Sequence, residues 1–215
     1  SRSRMSSDKI DTAAKLFVFA APSGAGKTTL VHAVVTKHQD DLRFSISYTT
    51  RKPRSNEANG VDYVFVDVDE FMRLRDAGEM LEHAQVFDNY YATSRSQVEN
   101  HLAEDRSVVL EIDWQGAQQV RESMPDCVTI FILPPSIAEL EQRLRGRRTD
   151  NPEVIERRLR DAKSDMAHWD EFDHVIINND LDEAIVALEA VLTGAGEASS
   201  SSNGELRATI QRIID

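Results

Sequence analysis

The sequence is short of several things, and each shortage excludes something. It has one cysteine, Cys127, among 215 residues, so no disulfide can form within the chain. No apolar run approaches the roughly 20 residues that a membrane helix requires. The polar opening "SRSRMSSDK" lacks the apolar core of a secretory signal. Met5 reads as the natural start, preceded by a tag remnant, and residues 1–14 as a disordered N-terminal segment. Positive charge is scarce: 25 Lys and Arg stand against 37 Asp and Glu, a net charge of −12. That disfavours broad binding to nucleic acid, which cations carry. These absences fit a cytoplasmic protein with neither membrane nor nucleic acid as partner. What is present is ordinary: 40% hydrophobic residues argues against disorder, and the length suits one substantial domain or a core with small insertions.

The few cations are clustered. "RKPR" supplies Arg51, Lys52 and Arg54, and seven arginines fall between Arg143 and Arg160. In an acidic chain such clusters suit small anionic ligands; a solvated helix face balanced by nearby carboxylates is the other reading of the arginine-rich segment.

Apolar runs and turn signals set the organisation. "KLFVFAA", "SVVLEID", "CVTIFIL" and "HVIIN" read as buried strands. "RFSISY" reads as one short strand and "VDYVFVD" as a partly exposed one. Helices are expected from Thr28 to His38, over residues 69–76, after Ser94, over "WQGAQQVRES", after Ser136, from Pro152 to about His168, and over residues 181–192. Ser94 with Gln97, and Ser136 with Glu139, have capping-box spacing. Strands alternating with helices imply a mostly parallel sheet covered on both faces. Residues 43–94 break that rhythm and read as an insertion. "GAGEASSSSNG" reads as a flexible linker, residues 194–204. "ELRATIQRIID", residues 205–215, reads as an amphipathic helix that docks on the core or on a partner, and through which copies of the chain would associate.

One stretch carries chemistry outright. "APSGAGKTTL" follows the first buried strand and opens the first helix. The phosphate-loop pattern is G-x-x-x-x-G-K-[ST]. Gly26, Lys27 and Thr28 match it, and Ala21 replaces the first glycine. Successive backbone N–H groups must curl around phosphate oxygens, and Gly24 and Gly26 leave the room. The helix end adds positive potential. Lys27 would reach the phosphates and Thr28 would offer a hydroxyl to Mg²⁺. A nucleoside triphosphate is the expected ligand, held by Ser23, Gly24, Ala25, Gly26, Lys27, Thr28 and Thr29.

Beyond the loop, "SYTTRKPR", "NGVDYVFV", "LEHAQVFDNYYATS", "EIDWQGAQQVR", "IFILPPS", "RLRGRRT" and "VIINND" follow in order. Together with the loop this set resembles the guanylate kinase family over about residues 16–192. The resemblance implies an ATP:GMP phosphotransferase of purine nucleotide metabolism, with ATP and GMP as partners and Mg²⁺ as cofactor. It implies an α/β fold: a P-loop three-layer α/β/α core with a mostly parallel sheet, a small mixed α/β GMP-binding insertion and a mobile lid. The domain would span residues 15–193, with core 15–42 and 95–193, insertion 43–94 and lid about 143–158.

Carried over motif by motif, the resemblance implies that Ser47, Glu82 and Thr93 hold the guanine. Guanine presents N1–H and N2–H₂ side by side, and one carboxylate accepts from both; adenine would leave that carboxylate unpaired. Arg51, Arg54, Tyr63 and Tyr91 would clamp the GMP phosphate, with Asp113 near the phosphates and their arginines. Arg143 and Asn178 would lie beside the adenine, and Arg147 and Arg158 would reach the ATP phosphates. Lys27, Arg51, Arg147 and Arg158 are the expected catalytic residues. Glu111 stands where the pattern has Asp and would hold Mg²⁺ through water or form a salt bridge. Ala92 and Arg148 replace glycines of the pattern. Two rivals remain: a non-catalytic module of the same family that binds proteins, against which the intact Gly26-Lys27-Thr28 argues, and a kinase of the same fold acting on a sugar phosphate, against which Glu82 argues.

Overall fold

The structure is a computed structural model and describes residues 13–146 and 151–215. Arg147, Arg148 and most of the expected N-terminal segment lie outside the described residues. In chain order the elements begin with β1 (Leu16–Ala20), α1 (Lys27–Lys37), β2 (Leu42–Phe44), β3 (Tyr48–Thr49), β4 (Val64–Phe65) and α2 (Val68–Asp76). There follow β5 (Met80–Val86), β6 (Asn89–Ser94), α3 (Arg95–Ala103), β7 (Ser107–Glu111), α4 (Trp114–Ser123) and β8 (Val128–Leu133). The chain closes with α5 (Ile137–Arg145), α6 (Pro152–Met166), β9 (His174–Ile177), α7 (Leu181–Leu192) and α8 (Gly204–Ile214).

The mostly parallel sheet expected from the alternation is present, with strand order β2-β7-β1-β8-β9. Apolar continuity explains β1: all five residues are buried, as a strand covered on both faces requires. Burying Phe17 or Phe19 contributes about 2 kcal/mol each. The chain forms two compact units, one of Phe19–Asp41 with Val128–Asp215, the other of Ala14–Val18 with Leu42–Cys127.

In the first unit β8 runs parallel to β9, from Ile130 opposite His174 to Leu133 opposite Ile177. The Ser136 hydroxyl caps α5 by accepting from Glu139 N–H at 3.0 Å, as the spacing predicts. Asn151 caps α6, and Pro152 occupies its first turn.

In the second unit β2 runs parallel to β7, and β4-β3-β6-β5 form a separate four-stranded sheet. "RFSISY" is therefore two strands, β2 and β3, belonging to different sheets, because the chain leaves one ladder at Ser45 and joins another at Tyr48. The expected long strand "VDYVFVD" contracts to β4, since Asp67 turns to cap α2. Ser94 caps α3, but Gln97 does not close the box: its amide bonds both N–H and C=O of Ile46, at 2.6 and 3.1 Å.

The serine-rich tail is a correction. It forms a short 3-10 turn, Glu197–Ser199, and an antiparallel bridge from Ser200 to His174. Ser201 N–H donates to the Asp173 carbonyl at 3.0 Å. Gly196 fits because a Cβ there would stand 2.9 Å from Val191 Cα. Serine composition signals a linker; backbone bonds to a distant strand make it part of the fold. Ile210 and Ile213 of α8, in the first unit, are buried, and Arg207 lies 4.7 Å over the Trp169 ring. Of the two docking modes left open for this helix, the structure shows docking on the core.

Candidate active site

Residues 21–29 line a cavity of about 310 Å³ at the end of β1. Gly24 and Gly26 have φ of +87° and +81°, the left-handed region that glycine enters without a Cβ penalty. Packing makes the same demand. A Cβ on Gly24 would meet Leu140 Cδ1 at 3.0 Å, and one on Gly26 would meet Asn178 Nδ2 at 2.5 Å. Each helix from α2 to α8 starts on an Asp, Ser or Asn side chain that accepts a backbone N–H. α1 starts instead on Gly26, without a side-chain cap. The positive end of α1 is thus not met by a capping side-chain oxygen, and its potential favours an anion.

Arg143 and Asn178, expected beside adenine, are both bonded to this loop's backbone. Arg143 Nη1 donates to the Gly24 carbonyl at 3.2 Å and Nη2 to the Asn178 carbonyl at 3.4 Å. Asn178, 7% exposed, donates from Nδ2 to the Ala25 carbonyl at 3.0 Å. Arg158 sits half-buried on α6.

The second unit holds a buried carboxyl group. Glu82 on β5 faces Thr93 on β6 across the hairpin. Glu82 is 6% exposed, and the Thr93 hydroxyl donates to its Oε1 at 2.8 Å. Burial pushes the Glu82 carboxyl up to about 7; the Thr93 bond opposes this and the neighbouring Asp113 adds to it. Asp113 caps α4, its Oδ1 accepting from Gly116 N–H at 2.7 Å. A Cβ on Gly116 would stand 3.2 Å from that oxygen and 3.3 Å from Glu82 Oε2, so the glycine makes room for both carboxyl groups. Glu111 is the last residue of β7.

Three of the four residues expected to clamp the GMP phosphate, Arg51, Tyr63 and Tyr91, are neighbours. The Arg51 guanidinium lies 5.2 Å over the Tyr63 ring, and the Tyr63 and Tyr91 rings meet edge to face at 6.1 Å. Glu57, which the sequence reading missed, grips Arg51 through two bonds of 2.9 Å. That bond raises the Arg51 pKa, burial opposes it, and hydrogen bonds with Tyr91 and Tyr63 add to the rise. The same pairing holds Glu57 down at about 2. Its position six residues after an expected phosphate-binding arginine was the available signal. Arg54 is exposed, and its backbone N–H donates to Glu57 at 2.8 Å. The Ser47 carbonyl accepts from Val64 N–H at 2.9 Å, next to the Ile46 that Gln97 holds. Ala92 lies in regular ladder, paired with Tyr48 and His83, so no glycine is needed there.

Among the described residues no group of three or more His, Cys, Asp or Glu is placed to cage a metal. A hydroxyl beside a phosphate cradle suits Mg²⁺ carried by a nucleotide, which takes few protein ligands. No described helix is long and apolar enough to cross a membrane.

A glycine-bent loop feeding an uncapped helix at the end of a parallel strand is the arrangement of a phosphate-loop nucleotide-binding protein. A family model described as guanylate kinase matches residues 13–195. A guanylate kinase of Hydrogenovibrio crunogenus is 54% identical over 186 residues, 86% of this chain and 90% of that protein. One of Aromatoleum aromaticum is 55% identical over 177 residues, 82% and 86% of the two chains. The crystal structure of guanylate kinase from Anaplasma phagocytophilum superposes with a TM-score of 0.65 at 31% identity, covering 95% of this chain and 97% of that one. The chain belongs to the guanylate kinase family, and these relatives are guanylate kinases, ATP:GMP phosphotransferases.

Proposed function

We propose that this chain transfers the γ-phosphoryl group of ATP to GMP with residues 21–29 as the donor site and the residues around Glu82 as the acceptor site. The buried carboxyl of Glu82, hydrogen-bonded by Thr93, is the observation that carries the reading. As a carboxylate it accepts from guanine N1–H and N2–H₂ together. AMP offers an acceptor where guanine offers a donor and would leave the buried anion with Thr93 but no donor from the base, which is expensive. Ser47 and Thr93 would complete the base site, with Asp113 beside it.

The GMP phosphate is already an anion and a nucleophile at neutral pH, so no general base is needed. The protein's task is to bring two anions together and neutralise charge that spreads over the transferring group. Lys27 and the first-turn N–H groups of α1 would hold the donor phosphates. Arg51 and Arg54, with the hydroxyls of Tyr63 and Tyr91, would hold the acceptor phosphate, and Arg51 must then share its fork between Glu57 and GMP. Arg158 and Arg147 would add charge on the donor side. Thr28 would ligate Mg²⁺. When bound, Mg²⁺ neutralises phosphate charge and fixes the phosphate chain. Substrates of this kind fit a cytoplasmic setting.

A coupled assay of ADP release with GMP, AMP, UMP and ribose 5-phosphate tests the reading. GMP alone should support rapid turnover; comparable turnover with AMP or the sugar phosphate would overturn it.

A further inference from the structure

The carbonyl side of the phosphate loop is tied down by two side chains from elsewhere in the first unit. Asn178 follows β9, and its amide donates to the Ala25 carbonyl at 3.0 Å. Arg143, in the last turn of α5, spans the Gly24 carbonyl at 3.2 Å and the Asn178 carbonyl at 3.4 Å. Glu139, one turn earlier on α5, pairs with Arg143 Nε at 3.4 Å. The three residues thus link α5, the end of β9 and the loop.

A peptide unit is planar and trans, so its carbonyl and the next N–H point in opposite directions. Holding the Ala25 carbonyl on Asn178 therefore aims the Gly26 N–H away from Asn178. Gly26 itself is fitted to this brace, since a Cβ there would stand 2.5 Å from Asn178 Nδ2. A loop with two left-handed glycines has many alternative conformations, and a ligand that selects one of them would bear the ordering cost unless the loop is already set.

We propose that Asn178, with Arg143 behind it, is a positioning residue that sets the phosphate loop's peptide N–H groups for the triphosphate, acting through the loop backbone rather than on the adenine. The proposal rests on the reading of residues 21–29 as the donor site. The brace serves the phosphates, so its loss is felt by any polyphosphate, with or without a base.

Calorimetric titration with ATP, with inorganic tripolyphosphate and with GMP tests this on the wild type, Asn178→Ala and Asn178→Leu. Leucine keeps most of the volume beside Gly26 and removes the donor. Both variants should lose about tenfold in affinity for ATP and for tripolyphosphate alike, the usual effect of one buried hydrogen bond. GMP affinity should hold, which also shows that the variant is folded. In turnover, the KM for ATP should rise while the KM for GMP stays. Loss for ATP with tripolyphosphate unchanged would assign Asn178 to the adenine and overturn the proposal. If both Asn178 variants lose GMP binding through misfolding, Arg143→Lys decides. It keeps the charge but cannot span two carbonyls, and undiminished tripolyphosphate binding would overturn the proposal. A wild type that takes up ATP but shows no competition by tripolyphosphate would instead remove the donor-site reading, and the brace with it.

Discussion

Thr93 donates its hydroxyl proton to Oε1 of Glu82 across 2.8 Å, from a side chain with no solvent exposure to one with almost none. The bond fixes one carboxyl oxygen and favours the ionised form that guanine recognition requires. Thr93→Val keeps the branched shape and removes the donor. GMP affinity should fall about tenfold, as for the loss of a hydrogen bond to a charged group, and Thr93→Ser should restore most of it. ATP affinity should be unchanged; a Thr93→Val enzyme that binds GMP like the wild type would detach this residue from base recognition.

The raised Glu82 carboxyl makes stability depend on pH with a definite sign. Its folded value of about 7 lies above its ordinary 4.5. Between those values the folded state holds the proton more tightly than the unfolded chain. The contribution of Glu82 to the stability of the ligand-free protein is therefore fully present below the lower value and is lost as pH rises through the upper one. The full penalty is on the order of 3 kcal/mol. Glu82→Gln has the same shape and never ionises. Urea unfolding from pH 5 to 8 should show the variant gaining on the wild type as pH rises, and parallel profiles would contradict the burial argument.

Lys27 opens α1 at the edge of the cavity lined by residues 21–29. Lys27→Met removes charge that the transfer needs most when it spreads over the moving phosphoryl group. Turnover should fall roughly 100- to 1,000-fold, the scale of losing one electrostatic stabiliser. GMP affinity measured by titration should stay within about twofold.

Arg51 combines a two-bond grip on Glu57 with a place over the Tyr63 ring. Arg51→Lys keeps the charge and loses the planar fork. The KM for GMP should rise about tenfold while the KM for ATP holds. Equal KM values for GMP would mean that charge alone serves there.

The tail is part of the first unit, and Ile210 is fully buried in it. Ile210→Ala should cost about 2–5 kcal/mol of unfolding free energy, as for a large aliphatic side chain cut back in a core. A cost below about 0.5 kcal/mol, the scale of surface changes, would return the helix to the surface.

Much of this was legible because its cause is local. The runs behind β1, β7 and β8 need only their own apolar continuity, and Gly26-Lys27-Thr28 opens the helix that follows the first strand, as the motif demands. Glu82 and Thr93 came from the family resemblance, and the hairpin register explains why they meet. What escaped the sequence depends on partners far along the chain. Gln97 reaches back to Ile46, Ser201 to Asp173, and Arg143 and Asn178 to the loop. The division of "RFSISY" between two sheets is of the same kind, since three-residue and two-residue strands are defined by what they pair with. Glu57 sits in a polar loop where an acidic residue reads as solvated until its bonds to Arg51 are seen.

The central claim is that one buried carboxylate chooses the purine. The most direct measurement is kcat/KM for GMP and for AMP with the wild type and Glu82→Gln. The account predicts a preference for GMP of about 1,000-fold or more in the wild type, falling by at least about tenfold in the variant, chiefly through loss of GMP turnover. A wild-type preference that survives intact in Glu82→Gln would contradict it.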